Sequence, residues 1–339
     1  MRAATQTSYG SPEVLSVTDR ARPAPGPREI LVEQHASAVT QGDRRLREAD
    51  FPGASALFGR LMFGVFGPRH ATGGGSFSGR VVEVGAEVRR FAVGDEVFGS
   101  VMHGAYAEYL VVKEDEAVAH KPQNRSHAEV ASMPYGVLTA WVFLFEMAKV
   151  QRGERVLIVG ATGGVGRMAV QVASHLGAHV TAVGSRDEAL VRSLGADAFV
   201  DYTAEDVTTR DERWDVVFDT SEGANFRRFR GSLNPTGRYL TLYASVRVLW
   251  EMALTRWFRG PRAMVGVAMG TPEQMDTVRH LVEAGAVRPV IAERHPLTRI
   301  ADAHAALERG RLAGDIVVEV RPDPASPRRA DGNGVLRVA

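Results

Sequence analysis

The sequence predicts an α/β protein in two parts: a strand-rich barrel or sandwich, and a doubly wound parallel sheet. Three observations carry this expectation. Residues 1–125 break into short apolar runs separated by turns. From about residue 126, apolar strands alternate with helices, the pattern of a parallel sheet covered on both faces. A glycine-rich turn joins the first strand of that series to its helix. At 339 residues the chain is long enough for two domains with a large buried core.

The elements follow in order. Residues 30–35 read as an apolar strand, 79–84 and 96–101 as two more joined through Gly85 and Gly94-Asp95, and 107–112 as a fourth. Ser126 and Glu129 form a capping box that opens a helix. Pro134 interrupts it, and an apolar helix resumes over 136–148. Strands are expected at 156–159, 180–183, 198–200, 215–218 and 239–242, with helices at 164–176, 187–194 and 226–233 between them. Thr271, Pro272 and Gln274 cap another helix that Gly285 ends. A last helix spans 300–308 and a last strand 316–320. The tail from 321 to 339 is rich in Pro, Arg and Gly, a composition that predicts disorder.

The most informative motif is Val156-Leu-Ile-Val-Gly-Ala-Thr-Gly-Gly-Val-Gly166. Four apolar residues make a buried strand. Gly163 lets the backbone pass close to a pyrophosphate, and Gly166 lets the helix pack tightly on the strand. The helix N-terminus then offers free N–H groups and a positive dipole end. Ala161 stands where the first glycine of G-x-G-x-x-G usually sits. An NAD site usually carries an acid about 20 positions on, at the end of the second strand. Here Gly184-Ser185-Arg186 follows that strand. A hydroxyl and a guanidinium replace the acid, which suits the 2′-phosphate of NADPH. The alternative is a solvated Arg186, with Asp187 serving NAD.

Composition excludes several classes. The sequence has no cysteine, so disulfides, thiolate zinc sites, iron–sulfur clusters and a Cys nucleophile are ruled out. A formal net charge of +1 gives no field to recruit nucleic acid. Basic residues are almost all Arg, with lysine only at 113, 121 and 149, a bias expected of a GC-rich bacterial genome. The start MRAATQTSYG lacks the apolar run of a signal peptide, and no stretch approaches about 18 uncharged apolar residues, so no membrane span is expected and the expected compartment is the cytoplasm. The histidines are scattered. His103 alone falls near an expected cleft loop, as a surface or substrate-lining residue rather than a metal ligand.

Several motifs in order resemble the medium-chain dehydrogenase/reductase superfamily, most of all its zinc-independent quinone oxidoreductases and enone reductases. They are Ala38-Val-Thr-Gln-Gly-Asp43 with Arg45-Leu-Arg47, Phe77-Ser-Gly-Arg-Val-Val-Glu-Val-Gly85, Phe91-Ala-Val-Gly-Asp-Glu-Val-Phe-Gly99 and Gly104-Ala-Tyr-Ala-Glu-Tyr109. Leu138-Thr-Ala140, the glycine turn, Arg192-Ser-Leu-Gly-Ala-Asp197 with Asp201-Tyr202, and Gly285-Ala-Val-Arg-Pro289 leading to Gly314-Asp-Ile-Val317 complete the series. The resemblance implies a GroES-like β-barrel catalytic domain (1–125 and 269–320) and a Rossmann dinucleotide-binding domain (126–268), in a chain that forms a homodimer. It implies that Ala161, Thr162, Gly163, Gly164, Val165 and Gly166 hold the pyrophosphate. Ser185, Arg186 and Tyr202 would surround the adenosine 2′-phosphate, and Thr139 with the loops at Thr220-Ser221 and Tyr243-Ala244 would approach the nicotinamide. The sequence departs from the zinc-dependent members. Their Cys position falls near Thr40, and their Gly-His-Glu becomes Gly74-Gly75-Ser76.

Without zinc, nothing strongly polarises a simple ketone. The expected acceptors are already electron-poor, namely quinones and α,β-unsaturated carbonyls. Thr40 is the first candidate donor to the developing oxyanion and Tyr135 the second, with Asp43 orienting the Thr40 loop. Two alternatives stand: a natural-product reductase or cyclising enzyme with a larger polyketide-like substrate, and a catalytically weak NADPH-binding sensor or scaffold. Two apolar stretches, 51–67 and 246–258, are expected to shape the acceptor pocket, to be core, or to form a dimer face. A membrane-surface helix is a further reading of the second.

Overall fold

The computed structural model describes residues 1–51, 55–223, 225–310, 312–321 and 336–337, and the side chains of 55–58 and 336–337 are not among what it describes. The chain separates into two compact units, one of residues 1–51, 57–135 and 269–339, the other of 52–56 and 136–268.

The first unit begins with strands β1 (Arg2–Thr5), β2 (Ser16–Asp19) and β3 (Glu29–Val39). Helices α1 (Gln41–Glu48) and α2 (Ser55–Phe63) follow, then β4 (Ser76–Val84), β5 (Glu96–Ser100), β6 (Tyr109–Lys113), β7 (Val118–His120) and α3 (His127–Ala131). β3 is longer than the apolar run at 30–35 because Ala36–Val39 continue to pair, with a strand near the C-terminus. It holds the sheet together: its first half pairs with β6, and β4 lies antiparallel along its length. Ile30, Val32, Phe77, Val81, Val97, Leu110 and Val112 pack into one core. The Ser126–Glu129 capping box forms as expected. The helix it opens belongs to the first unit, because Ala128 and Ala131 pack on Ala36 of β3 and on Val317.

The second unit follows: α4 (Pro134–Trp141), continued by a π-helical turn over Val142–Met147, then β8 (Arg155–Val159), α5 (Gly164–His175), β9 (His179–Gly184), α6 (Glu188–Ser193) and β10 (Ala198–Asp201). β11 (Trp214–Asp219), α7 (Phe226–Phe229), β12 (Leu233–Thr241), α8 (Val246–Trp257) and β13 (Arg262–Val265) complete it. All six strands are parallel, in the order β10-β9-β8-β11-β12-β13. The order reverses between β8 and β11, the topological switch point at which such sheets bind ligands beyond the strand carboxyl ends. The helix expected over 226–233 is a single turn, and β12 starts early. Leu233 is buried and pairs with Trp214, and that pairing outcompetes further helix. β13 carries no strong apolar run and was not expected; it forms because β12 offers it a partner edge.

The chain then returns to the first unit with α9 (Pro272–Glu283), β14 (Ile291–Pro296), α10 (Ile300–Arg309) and β15 (Asp315–Glu319). The Thr271–Gln274 capping box forms, with Pro272 at the first helical position. β15 pairs antiparallel with β3 and parallel with β14, the one parallel contact in an otherwise antiparallel sheet. Most of the tail read as disordered lies outside the described residues; a short β16 (Leu336–Arg337) pairs with β14.

Candidate functional site

In the second unit, β8 ends at Val159 and the chain turns at once. Gly160 has φ +76°, and a Cβ there would stand 2.6 Å from Thr220 Oγ1. The residue that needs to be glycine at the start of the turn is therefore Gly160. Its neighbour Ala161 is buried, and both N–H groups donate to the Val183 carbonyl on β9. This corrects the reading of Ala161 as a phosphate contact: its amide and its methyl are already committed to the fold. Gly166 behaves as expected. A Cβ on it would come within 2.0 Å of the Gly160 carbonyl oxygen and 2.8 Å of Ala161 Cα, so only hydrogen allows α5 to seat on the turn.

Gly163 is the N-cap of α5, and the first intrahelical bond runs from Arg167 N–H to its carbonyl. The N–H groups of Gly164, Val165 and Gly166 precede that bond, where a helix presents donors to an anion. The buried Arg167 donates to the Thr162 carbonyl at 2.7 Å and holds the turn's outer peptide. Thr162 in turn lies over Gly184, whose Cβ position is 3.0 Å from the Thr162 methyl. The turn and the end of β9 are thereby fixed together.

Ser185 and Arg186 emerge from the carboxyl end of β9, and Tyr202 from the adjacent β10, where Asp201 pairs with Gly184 and Tyr202 N–H donates to the Gly184 carbonyl. The exposed Tyr202 and Arg186 thus stand at neighbouring strand ends. Asp187 takes φ +58° and lies 3.5 Å from the Arg186 guanidinium. Its carboxylate faces the cation that the 2′-phosphate reading invokes. Thr139 is buried on α4, one turn beyond Gly136, and a Cβ at Gly136 would come 2.8 Å from Met168 Cγ and 3.3 Å from the Gly164 carbonyl. α4 therefore abuts the start of α5. Tyr243 follows β12 and is half-buried. The Thr220 hydroxyl donates to the Val159 carbonyl at 2.8 Å. The hydroxyl thereby buttresses the turn. Beside it the buried Asp219 accepts from Ser221 Oγ and Tyr239 Oη, and burial raises the Tyr239 phenol above its ordinary range.

In the first unit, Thr40, Asp43 and Tyr135 come together at the start of α1. Thr40 is the N-cap and Asp43 closes a capping box that the sequence reading did not identify. Asp43 N–H donates to Thr40 Oγ1 at 3.2 Å, while Asp43 Oδ2 accepts from Thr40 N at 2.8 Å and from Thr40 Oγ1 at 2.6 Å. Gly75 N–H and Tyr106 Oη also donate to this carboxylate. Asp43 is buried, and burial raises its pKa to about 6 against those hydrogen bonds. The Tyr135 ring covers Gly42, where a Cβ would lie 3.3 Å from Tyr135 Cε2 and 3.4 Å from Thr40 Oγ1. Thr40 as a free donor is thus qualified: its proton is directed to Asp43 while that group is ionised.

A small pocket is lined by Asp43, Arg47, Met102, His103, Tyr106 and His304, among others. His103 stacks on His70 with ring centroids 3.6 Å apart. Burial, then the Arg47 charge, lowers His304 to about 3. The sequence reading missed Tyr106 as a member of this cluster, although it stands inside the Gly104–Tyr109 motif. The Ser76 hydroxyl is buried without a hydrogen-bond partner.

A family model of the alcohol dehydrogenase GroES-like domain matches residues 26–123, and one described as zinc-binding dehydrogenase matches 194–318. The human mitochondrial NAD(P)H oxidoreductase RTN4IP1 is 32% identical over 92% of this chain and 87% of its own length. The 2-methylene-furan-3-one reductase of Solanum lycopersicum is 30% identical over 95% of this chain and 80% of its own. The solved quinone oxidoreductase from Coxiella burnetii shares 26% identity at a TM-score of 0.82, covering 95% of this chain and 99% of its own.

The chain belongs to the medium-chain dehydrogenase/reductase superfamily. It falls in the quinone and enone reductase-like branch, and as a member it is an oxidoreductase built for a nicotinamide cofactor. The zinc ligand positions of other superfamily members do not fit a metal here. Thr40, Gly75 and Ser76 occupy them, the sequence has no cysteine, and among the described residues no three His, Asp or Glu side chains converge. Among the described residues no helix is long and apolar enough to cross a membrane.

Proposed function

We propose that this oxidoreductase is zinc-independent and NADPH-dependent, and reduces quinones or α,β-unsaturated carbonyl compounds. The observation that carries the cofactor choice is the end of β9. It presents Ser185 and Arg186 beside Tyr202 and no acid at the strand's last position. The bound nicotinamide would supply the hydride. Gly164, Val165 and Gly166 would hold the pyrophosphate through their N–H groups, with Thr162 and Gly163 closing over it. Arg186 and Ser185 would hold the 2′-phosphate, Arg186 partly offset by Asp187. Thr139 and Tyr243 would border the nicotinamide end.

The acceptor reading rests on the donor set. The hydroxyls of Thr40 and Tyr106 donate to one buried carboxylate, the Tyr135 ring lies over Gly42 beside Thr40, and among the described residues no set of metal ligands stands with them. Such a set steadies an enolate or hydroquinone anion that is already delocalised. Tyr135 and Thr40 would donate to that oxygen, with Asp43 positioning Thr40. Replacing Arg186 by alanine tests the cofactor half. KM for NADPH rises at least about tenfold, from loss of a charge-assisted contact, while KM for NADH stays within about twofold. Equal effects on both would refute the NADPH assignment.

A further inference from the structure

Thr40 and Asp43 hold one hydrogen between two oxygens. Thr40 Oγ1 stands 2.6 Å from Asp43 Oδ2, and the Thr40 backbone N–H donates to the same carboxylate oxygen. While Asp43 is ionised, the hydroxyl hydrogen is spent on Oδ2. Once Asp43 carries a proton, its carboxyl donates to Thr40 Oγ1 and the hydroxyl hydrogen is released to another acceptor. Thr40 is half-buried and Asp43 is buried, so Asp43 needs a route by which a proton reaches it.

The pocket supplies one. It has a volume of about 50 Å³, room for one or two waters, and is lined by the buried Asp43 and by the exposed His70 and His103. His304 lines it too. Its Nδ1 lies 3.1 Å from Arg47 Nη1, and a guanidinium can only donate. Nδ1 is therefore the acceptor, and the hydrogen of this neutral ring sits on Nε2. That Nε2 is buried without a hydrogen-bond partner among the described residues, the condition that a pocket water relieves. The other charged and titratable groups there do not compete with Asp43. Arg47 is tied to Glu48 and Glu308, and Tyr9 donates to the Gly64 carbonyl. Burial keeps the Tyr106 phenol protonated. Asp43 is the one acid among the described residues that line the pocket.

We infer that this pocket is the proton inlet of the reaction and that Asp43 is the relay through which solvent recharges Thr40. The inference rests on the reading of the protein as a quinone or enone reductase. It adds a proton to the positioning role of Asp43. The acceptor gains a hydride from the reduced nicotinamide at its electron-poor carbon, and the displaced electron pair moves to the acceptor oxygen. That oxyanion takes the Thr40 hydrogen as the Thr40 O–H bond breaks, giving an enol or hydroquinone. Thr40 Oγ1 takes the Asp43 hydrogen in turn. The Asp43 carboxylate is then reprotonated from pocket water, which draws on solvent beside His70 and His103. Each turnover consumes one hydride and one proton.

Steady-state kinetics of the full-length protein with NADPH, one enone and one quinone, run against pH and in deuterium oxide, test the relay. The protonated form of Asp43 is the active one, so kcat falls toward tenfold per pH unit above about pH 6, and turnover is slower in deuterium oxide. Asp43→Asn keeps a polar group beside Thr40 but passes no proton. It lowers kcat at least about tenfold and abolishes the pH slope, while its circular dichroism spectrum and NADPH affinity hold. The second variant is on the surface, where folding is not at risk. In His70→Phe/His103→Phe two phenyl rings replace the stacked imidazoles and carry no proton. It lowers kcat at least about threefold and deepens the solvent isotope effect, with KM for NADPH unchanged. Turnover of enone and quinone that is flat between about pH 6 and 9 would overturn the inference alone. So would a slope that survives in Asp43→Asn, or a histidine variant indistinguishable from the native protein. No turnover of any quinone or enone would overturn the reductase reading, and the inlet with it.

Discussion

Replacing Gly166 by alanine tests the core of the proposed dinucleotide site. A Cβ at this position meets the Gly160 carbonyl oxygen at 2.0 Å and Ala161 Cα at 2.8 Å. Both neighbours are backbone, and neither can rotate aside. Relief requires α5 to back away from the turn by roughly 1 Å, the gap between these contacts and ordinary van der Waals separation. Overpacking of this kind costs about 3 kcal/mol, and alanine's better helix propensity returns at most about 1 kcal/mol. The net loss is about 2 kcal/mol, a fall in Tm of roughly 6 °C for a unit of this size. The same displacement moves the N–H groups of Gly164–Gly166 off their target, so dinucleotide affinity falls at least about tenfold through lost charge-assisted hydrogen bonds. Gly231→Ala is the control, because nothing lies within 4 Å of its Cβ position. Thermal unfolding by circular dichroism and a calorimetric titration with NADPH measure both effects. A Gly166→Ala protein with unchanged Tm and affinity would refute the packing argument.

Asp43 sets a pH dependence. Its folded pKa of about 6 lies above the ordinary carboxyl value because burial disfavours the anion. Its contribution to stability is therefore fully present below about pH 4 and is lost as pH rises through 6, a swing on the order of 3 kcal/mol. Asp43→Asn removes that slope from a Tm-against-pH profile, and parallel wild-type and variant profiles between pH 4 and 7 would disprove it. Thr40→Val removes both the helix cap and a hydroxyl, costing about 1 kcal/mol of stability and about tenfold or more in kcat. Thr40→Ser restores both, and turnover unchanged in the valine variant would remove Thr40 from the mechanism. Arg47 is buried, donates to the Gly10 carbonyl, and pairs with Glu48 and Glu308. Arg47→Met strands those groups and lowers stability by about 3 kcal/mol in a denaturant titration; a shift below about 0.5 kcal/mol would show the cluster to be dispensable.

Periodicity and turn chemistry alone determined much of this protein. The Ser126 and Thr271 capping boxes, the interruption at Pro134, and the alternating strands and helices around Gly163–Gly166 are all interactions between residues a few positions apart. Local rules reach that far and no further. The same rules misread the Ala161 amide and did not show the Thr220 hydroxyl's bond, because both make contacts across the sheet, with Val183 and with Val159. They left Asp43 as a loop-orienting residue, although its burial is what raises its pKa, against hydrogen bonds that include one from Tyr106, 63 positions away. They also could not choose a role for residues 246–258. An apolar stripe at helical spacing looks the same whether it faces a core or solvent. Only the tertiary structure shows that Val248 and Glu251 take the inner side and leave Trp250 and Trp257 outside. The sequence by itself determined the family and the glycine turn. The tertiary structure decided which atoms of that turn remain available, and which face of α8 meets the surroundings, because both depend on what distant segments cover.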